Sequence, residues 1–338
     1  VLPSPTRGGR TIREIARWMT AAAVDKHAVA STEAANVESV AALDKNDYAS
    51  MEAAKGVNLC LDGKLAPEFY LLGAQKAGTT DFASRLEQVP GIVKPTKWGG
   101  KEPHFFDKWN YPTSDFLGAF PDCSSKTRLV AWDCTPDYLL NPNSPGRLFN
   151  FYGNLRHRLQ FVILLRNPVE RMHSAWYMFK NVMPIKPFGN TFAEYVQHVV
   201  KGHREWIFEG SRYAPQVERW FNLFNSSQFF VVPFHLAYSN SPAQGSRLTA
   251  IERVVQRLGL HSGEGRSLSY IAGRGQHPPL EQEVPRDLLL KLSGLLVRYG
   301  GSAKGVADVL AHSNAELYGY WGPRNNARSI AQWLQENW

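Results

Sequence analysis

The sequence predicts an α/β fold: a P-loop-like, three-layer arrangement with a central parallel sheet flanked by helices, preceded by an N-terminal helical extension. Three observations carry that expectation. Four short runs (Phe69-Tyr70-Leu71-Leu72, Leu129-Val130-Ala131-Trp132, Phe161-Val162-Ile163-Leu164-Leu165 and Phe229-Phe230-Val231-Val232) are continuously apolar and rich in β-branched or aromatic residues. Strands covered on both faces read this way. Stretches with helical spacing lie between and after them, over 81–88, 168–180, 191–201, 214–224, 247–258 and 285–296, and such alternation argues for a parallel sheet. Finally, a glycine-bearing loop over 73–80 joins the first apolar run to the first of these helices.

The extension is residues 1–66, Ala-rich, with two helical stretches at 11–30 and 32–55. Val37, Val40, Ala41 and Leu43 give the second a thin apolar face. Gly56 and the turn-like Asp62-Gly63 break the pattern, and the main domain is read as 67–338. With 43% hydrophobic and 20% charged residues among 338, the chain can bury a core, and wholesale disorder is excluded. Lys and Arg number 38 against 30 Asp and Glu, a net charge of +8 that favours an anionic partner. No apolar run approaches the roughly 18 residues of a membrane span. Three cysteines (Cys60, Cys123, Cys134) are too few for a disulfide scaffold and lack zinc-site spacing; whether any pair is left open. Residues 1–66 lack a signal-peptide pattern, so any targeting segment is expected upstream of Val1.

Gly73-Ala74-Gln75-Lys76-Ala77-Gly78-Thr79-Thr80 has the composition of a phosphate cradle. Glycines let the backbone curl so that several N–H groups converge, and the helix N-terminus adds positive potential. The spacing is near GxxxxGK[ST], but no Lys follows the second Gly; it stands inside the loop as Lys76. A P-loop kinase would need that terminal Lys and an acid after another strand to hold magnesium, whereas the position after Leu165 carries a cation, Arg166. The loop is expected to bind phosphate without a metal. Arg166 ends the Phe161–Leu165 run, Asn167-Pro168 caps a helix, and Ser174 follows two turns on. Together they make a second anion clamp at the sheet's carboxyl edge. Alone, Arg166 could equally pair with Glu170, and Ser174 be a surface serine.

The combination of residues 73–80 with 161–174 resembles sulfotransferases that use 3′-phosphoadenosine 5′-phosphosulfate (PAPS). The resemblance covers about 67–325 and extends through Lys101-Glu102-Pro103-His104-Phe105-Phe106, Asp133-Cys134-Thr135-Pro136-Asp137-Tyr138, Arg212-Tyr213-Ala214 and Gly275-Gln276-His277-Pro278. Their order is that of the Golgi carbohydrate branch, and Lys-Glu-Pro-His looks most like enzymes that 6-O-sulfate N-acetylgalactosamine 4-sulfate. The resemblance implies that Gln75, Lys76, Ala77, Gly78, Thr79 and Thr80 hold the 5′-phosphosulfate, with Lys76 on the bridging oxygen. It implies that Arg166 and Ser174 bind the 3′-phosphate, with Tyr213, Arg274 and Gly275 as further nucleotide contacts, and that Glu102 is the general base. The product would be adenosine 3′,5′-bisphosphate, with no metal required. Cys134 departs from heparan relatives, which often have Lys there.

Sulfuryl transfer is kin to phosphoryl transfer, so the protein contributes positioning and electrostatics. Lys76 would stabilise the leaving charge, and Glu102 would take the acceptor's proton, with His104 as the alternative base. Lys101, Asp133 and Thr135 are expected to border the acceptor, although Asp133 is as well suited to orienting His104 or capping a turn. Trp98, Lys101, Arg147, Arg156 and Arg158 are candidates for lining an anionic acceptor groove, a charge run being more often a solvated face. Asn225-Ser226-Ser227 matches a glycosylation sequon, meaningful in the secretory pathway. The expected acceptor is a hydroxyl on an anionic, glycosaminoglycan-like carbohydrate; a small molecule sulfated at oxygen or nitrogen is the alternative, and a non-catalytic scaffold a further one. No signature supports nucleic-acid binding. The expected compartment is the Golgi lumen if an anchor lies upstream, otherwise a soluble cytoplasmic or plastid setting.

Overall fold

A computed structural model of the chain describes residues 56–108, 110–123, 127–183, 186–239, 242–260 and 278–338. The expected helices at 11–30 and 32–55 lie outside the described residues. Residues 57–66 are not helical: β1 (Cys60–Leu61) and β2 (Lys64–Leu65) form an antiparallel hairpin. Its turn places Asp62 at φ +49° and Gly63 at φ +74°, the left-handed pair that a tight hairpin requires. Leu59, Leu65 and Ala66 are buried in the main core, so the packed domain begins before Pro67. A Cys60–Cys123 disulfide, with Cα atoms 5.9 Å apart, ties the hairpin to the segment that follows the first aromatic helices. Closing its 63-residue separation stabilises the fold by about 4 kcal/mol in a chain-entropy picture.

Six strands build the central sheet: β3 (Pro67–Gly73), β4 (Ile92–Val93), β5 (Val130–Asp133), β6 (Gln160–Leu165), β7 (Phe229–Pro233) and β8 (Glu316–Leu317). They run in the order β4-β5-β3-β6-β7-β8, every pair parallel. All residues of β3, β5, β6 and β7 are buried, which is why they read as unbroken apolar runs. The edge strands β4 and β8 are two residues long and left no such signal.

The helices that matter below are α1 (Thr79–Leu86), α2 (Phe105–Lys108), α3 (Ser144–Tyr152), α4 (Pro168–Asn181), α5 (Phe192–Val200), α6 (Tyr213–Phe221), α7 (Ala250–Arg257), α8 (Arg286–Arg298), α9 (Ala303–Ala311) and α10 (Ala327–Asn337). At the centre Phe161 stacks on Phe229 at 4.7 Å and meets Trp220 and Phe224. A second apolar cluster gathers α4, α5 and α8 around Trp176, Phe192 and Leu292.

The strand order locates the site. From β3 the chain reaches β5 on one side and later β6 on the other, so a crevice opens at the carboxyl end of β3, where open α/β sheets bind ligands. Three segments emerge there side by side: the loop after Gly73, the Asp133–Thr135 turn after β5, and Arg166 after β6.

Candidate active site

Gly73 has φ +144°, and a Cβ there would lie 2.6 Å from the Pro136 carbonyl oxygen, so glycine is required. The loop then closes through an Ala77 N–H to Ala74 carbonyl bond of 3.0 Å, with Lys76 at φ +69° and Gly78 at φ +83°. This leaves the N–H groups of Gln75, Lys76, Gly78, Thr79 and Thr80 without a hydrogen-bond partner among the described residues, at the N-terminus of α1. Unfilled N–H groups curled about a helix start form an anion nest. Ala77 is the exception to the expected set, because its N–H is consumed inside the loop.

Three side chains brace this loop. Buried Arg171 donates Nε to the Gln75 carbonyl at 3.0 Å, Gln75 Nε2 donates to Asp137 Oδ1 at 3.1 Å, and the Tyr238 hydroxyl donates to the Gly78 carbonyl at 2.5 Å. Tyr238 occupies the space that a Cβ on residue 78 would need.

Lys76 has no ion pair among the described residues, and burial lowers its pKa, with Arg166, Arg171 and Lys101 adding repulsion. Such a group gains by meeting an anion. Arg166 reaches it from β6: Nη1 donates to the Lys76 carbonyl at 3.3 Å, Nε pairs with Glu170 at 3.3 Å, and the guanidinium covers Phe234 at 4.7 Å. Both segments expected to bind anions therefore share one crevice. Tyr213 is fully buried and donates its hydroxyl to the Arg166 carbonyl at 3.0 Å. It supports the clamp from behind and offers no surface to a nucleotide, contrary to expectation. Ser174 is half-buried, two turns into α4. Arg274 and Gly275 lie outside the described residues.

On the β5 side, Lys101 Nζ donates to Thr80 Oγ1 at 3.0 Å and also to Glu102, linking the loop to the expected base. His104 Nε2 lies 3.6 Å from Glu102 Oε2, a long ion pair, while Nδ1 is 2.8 Å from Asp107 Oδ2. Burial would raise the Glu102 pKa, but His104 and Lys101 outweigh it and hold the carboxyl at about 2. Burial likewise disfavours charge on His104, yet Asp107 and Glu102 raise it to about 9. At neutral pH the pair is carboxylate and imidazolium, so His104 has no lone pair to act as a base. Its φ of +56° is held by its N–H bonding Thr135 Oγ1 at 3.2 Å.

Asp133 and Thr135 were expected at the acceptor; both are 0% exposed. Asp133 accepts from Thr135 Oγ1 and Tyr138 OH, each at 2.7 Å, and caps the turn. Burial raises its pKa to about 7 despite those bonds. The Tyr138 hydroxyl in turn accepts the Phe105 N–H at 3.0 Å, fixing the start of α2. Sealed from solvent, these residues hold the backbone of His104 and Phe105 beside Glu102. Asp137 and Tyr138 stood in a segment that carried the resemblance but had no role assigned, and Asp107, Arg171 and Tyr238 had none either. Asp107 was findable as the third residue after His104; Tyr238 carried no signal. His104, Asp107 and Asp137 place potential metal-ligand atoms within 4.8 Å of one another, but the His104 ring is already bound to Asp107 and is itself the cation there.

Of the expected groove, Trp98 and Lys101 stand on this side, Trp98 stacked on Tyr111 at 5.1 Å. Arg147 instead donates to the Phe106 and Asp107 carbonyls at 3.1 and 3.0 Å. Arg156 and Arg158 precede β6, at the other end of the sheet, bonded to the Gly153 carbonyl and paired with Glu68.

No family model matches the chain. It is 27% identical over 167 residues to the membrane-associated sulfotransferase kil1 of Dictyostelium discoideum, covering 44% of this chain and 34% of that protein. Against the bifunctional heparan sulfate N-deacetylase/N-sulfotransferase 1 of Caenorhabditis elegans it is 22% identical over 310 residues, 81% of this chain and 32% of the relative. Its relatives are sulfotransferases. The fold agrees: the crystal structure of a sulfotransferase from Alicyclobacillus acidocaldarius superposes with a TM-score of 0.52 at 21% identity, covering 75% of this chain and 97% of that one. The chain spans about a third of the length of these two curated relatives. Against this sulfotransferase fold, the anion nest, Arg166 and Glu102 fall together at the carboxyl edge of the sheet.

Proposed function

We propose that the chain is a PAPS-dependent sulfotransferase acting on a carbohydrate hydroxyl. The observation that carries this reading is the side-by-side arrangement of a nest of N–H groups with no partner among the described residues, a half-buried Lys76, a second cationic clamp at Arg166, and an ionised Glu102 tethered to the nest through Lys101. When bound, PAPS supplies the sulfuryl group, leaving adenosine 3′,5′-bisphosphate. The free N–H groups of 75, 76 and 78–80 and the Lys76 ammonium hold the 5′ anion and stabilise the charge that grows on the phosphate side. Arg166, with Ser174, holds the 3′-phosphate. Glu102 takes the proton from the acceptor hydroxyl; His104 keeps the carboxylate ionised and oriented, and Asp107 fixes the ring. A pKa of about 2 makes Glu102 a weak base at rest, and displacement of Lys101 toward an incoming anion would strengthen it.

The carbohydrate acceptor is supported by relatives whose names include heparan sulfate N-sulfotransferase, so an amine belongs among the acceptors to be compared with hydroxyls. A lumenal compartment such as the Golgi is supported by the Cys60–Cys123 disulfide, since such bonds persist in oxidising surroundings. Among the described residues no helix is long and apolar enough to cross a membrane. The test is a panel of chondroitin, heparan, N-desulfated heparan, phenols and small amines with labelled PAPS in excess chelator, read by mass spectrometry. Sulfation of a glycan hydroxyl, matched by release of adenosine 3′,5′-bisphosphate, is expected. Nucleotide binding without transfer to any acceptor would favour the scaffold, and transfer that stops on chelation would contradict metal-free chemistry.

A further inference from the structure

The sheet has a second end, where β7 begins, and one sequence motif there has no part in sulfuryl transfer. Asn225-Ser226-Ser227 is the only Asn-x-Ser/Thr triplet in the chain. It forms a 3₁₀ turn, Ser226–Gln228, capped by its own asparagine: Asn225 Oδ1 accepts the Ser227 N–H at 3.0 Å, and the Asn225 N–H donates to Gln228 Oε1 at 3.1 Å. The cap uses only the oxygen of the side-chain amide. Asn225 Nδ2 has no hydrogen-bond partner among the described residues, and Ser227 Oγ, though buried, has none either. Beside the turn lies a cavity of about 510 Å³, lined by Asn222 and Ser226 on either side of Asn225 in sequence and by Phe221, Glu218, Asp308 and His312. It combines one aromatic face with hydrogen-bonding groups and is the size of a small-ligand site.

We propose that Asn225 is the acceptor of an N-linked glycan, whose first amino sugar has room in this cavity. Addition joins Nδ2 to the anomeric carbon of a lipid-pyrophosphate-linked oligosaccharide; the carbon–oxygen bond to the pyrophosphate breaks, and Nδ2 gives up one proton. The product is a secondary amide that keeps the Oδ1 acceptor, so the finished glycoprotein retains its cap. Residues 225–228 precede β7 in an all-parallel sheet, whereas the nest and Arg166 follow β3 and β6, so the glycan stands at the end of the sheet away from the nucleotide. The Cys60–Cys123 disulfide points to the same oxidising lumen in which this modification occurs. The inference does not depend on the sulfotransferase reading.

The full chain, secreted from a eukaryotic cell behind a cleavable leader, is peptide-mapped before and after peptide N-glycosidase in ¹⁸O water, and its melting response to adenosine 3′,5′-bisphosphate is followed in parallel. Disulfide-bonded chain should carry a glycan at Asn225 that is released to leave labelled Asp. Ser227→Ala should carry none yet melt at the same temperature as wild-type chain made with glycosylation blocked, because the cap bonds the backbone N–H of residue 227 and the Ser227 Oγ has no partner among the described residues. Asn225→Gln loses both glycan and cap and should melt lower. Disulfide-bonded chain with Asn225 unmodified would overturn the proposal, as would a glycosylated fraction that fails to melt cooperatively while unmodified chain does.

Discussion

The two ends of the central sheet carry similar numbers of cations and use them in opposite ways. At the amino end, Glu68 lies 2.9 Å from Arg128 and 3.5 Å from Arg158, and Glu316 lies 2.5 Å from Arg253 and 2.8 Å from Arg257. Four guanidinium groups there share two carboxylates with further carbonyl contacts, and they lock strand starts together. At the carboxyl end Lys76, Lys101, Arg166 and Arg171 crowd one loop, with Glu102 and Glu170 as partners of two of them. Among the described residues, Lys76 has no ion pair and stands beside five N–H groups with no partner. The net charge of +8 says that cations are in excess; only their pairing says where an anion is wanted.

The contrast can be broken by mutation at either end. The largest effect is expected for Glu102→Gln, which should lower turnover by about 10²–10⁴-fold while leaving nucleotide affinity nearly unchanged. Steady-state rates with parallel calorimetric titration of adenosine 3′,5′-bisphosphate check this, and normal turnover would move the base elsewhere. Arg166→Ala should weaken that nucleotide by roughly 10–100-fold and remove most of the rise in melting temperature it causes, since a charge-assisted contact is lost. Arg128→Ala is the converse: about 2–3 kcal/mol less stable in urea, because buried Glu68 loses its nearer partner, but with unchanged nucleotide affinity. If both arginines affected affinity alike, the division between the two ends would fail.

Smaller effects lie in pH dependence. The His104 pKa is raised above its ordinary 6.5 to about 9, so its contribution to stability is complete below 6.5 and disappears as pH rises through 9. Wild type should therefore lose its advantage over His104→Gln across that interval in urea titrations. Glu102 is depressed, so its contribution holds above 4.5 and is lost as pH falls toward 2. Lys101→Ala removes one of the charges that lower Glu102 and should shift the acid limb of kcat/KM to higher pH; an unmoved limb would separate Lys101 from the base.

The nest, Arg166 and the four core strands were legible because each is local: a glycine-spaced turn, a capped helix start, a run of apolar residues. Glu102 and Lys101 were read from a short segment, with Glu102 as the expected base and His104 as the alternative. What sets the two apart in the structure is Asp107, which pairs with His104, and a 3.6 Å approach to Glu102 across a left-handed residue. Asp133 and Thr135 looked like acceptor contacts because they follow a strand at the right edge; burial makes them supports. The run through Arg156 and Arg158 was a groove candidate set against a solvated face, and the strand direction puts it at the other end of the sheet.

By itself, then, the sequence determined the parallel α/β core and the curled shape of the 73–80 loop, since apolar periodicity and glycine geometry act over a few residues. Tertiary structure decided which cations stay unpaired, which carboxylates are sealed in, and that Cys60 meets Cys123 across 63 residues. Those outcomes depend on distances between segments far apart in the chain, and electrostatic energies change steeply with such distances and with burial.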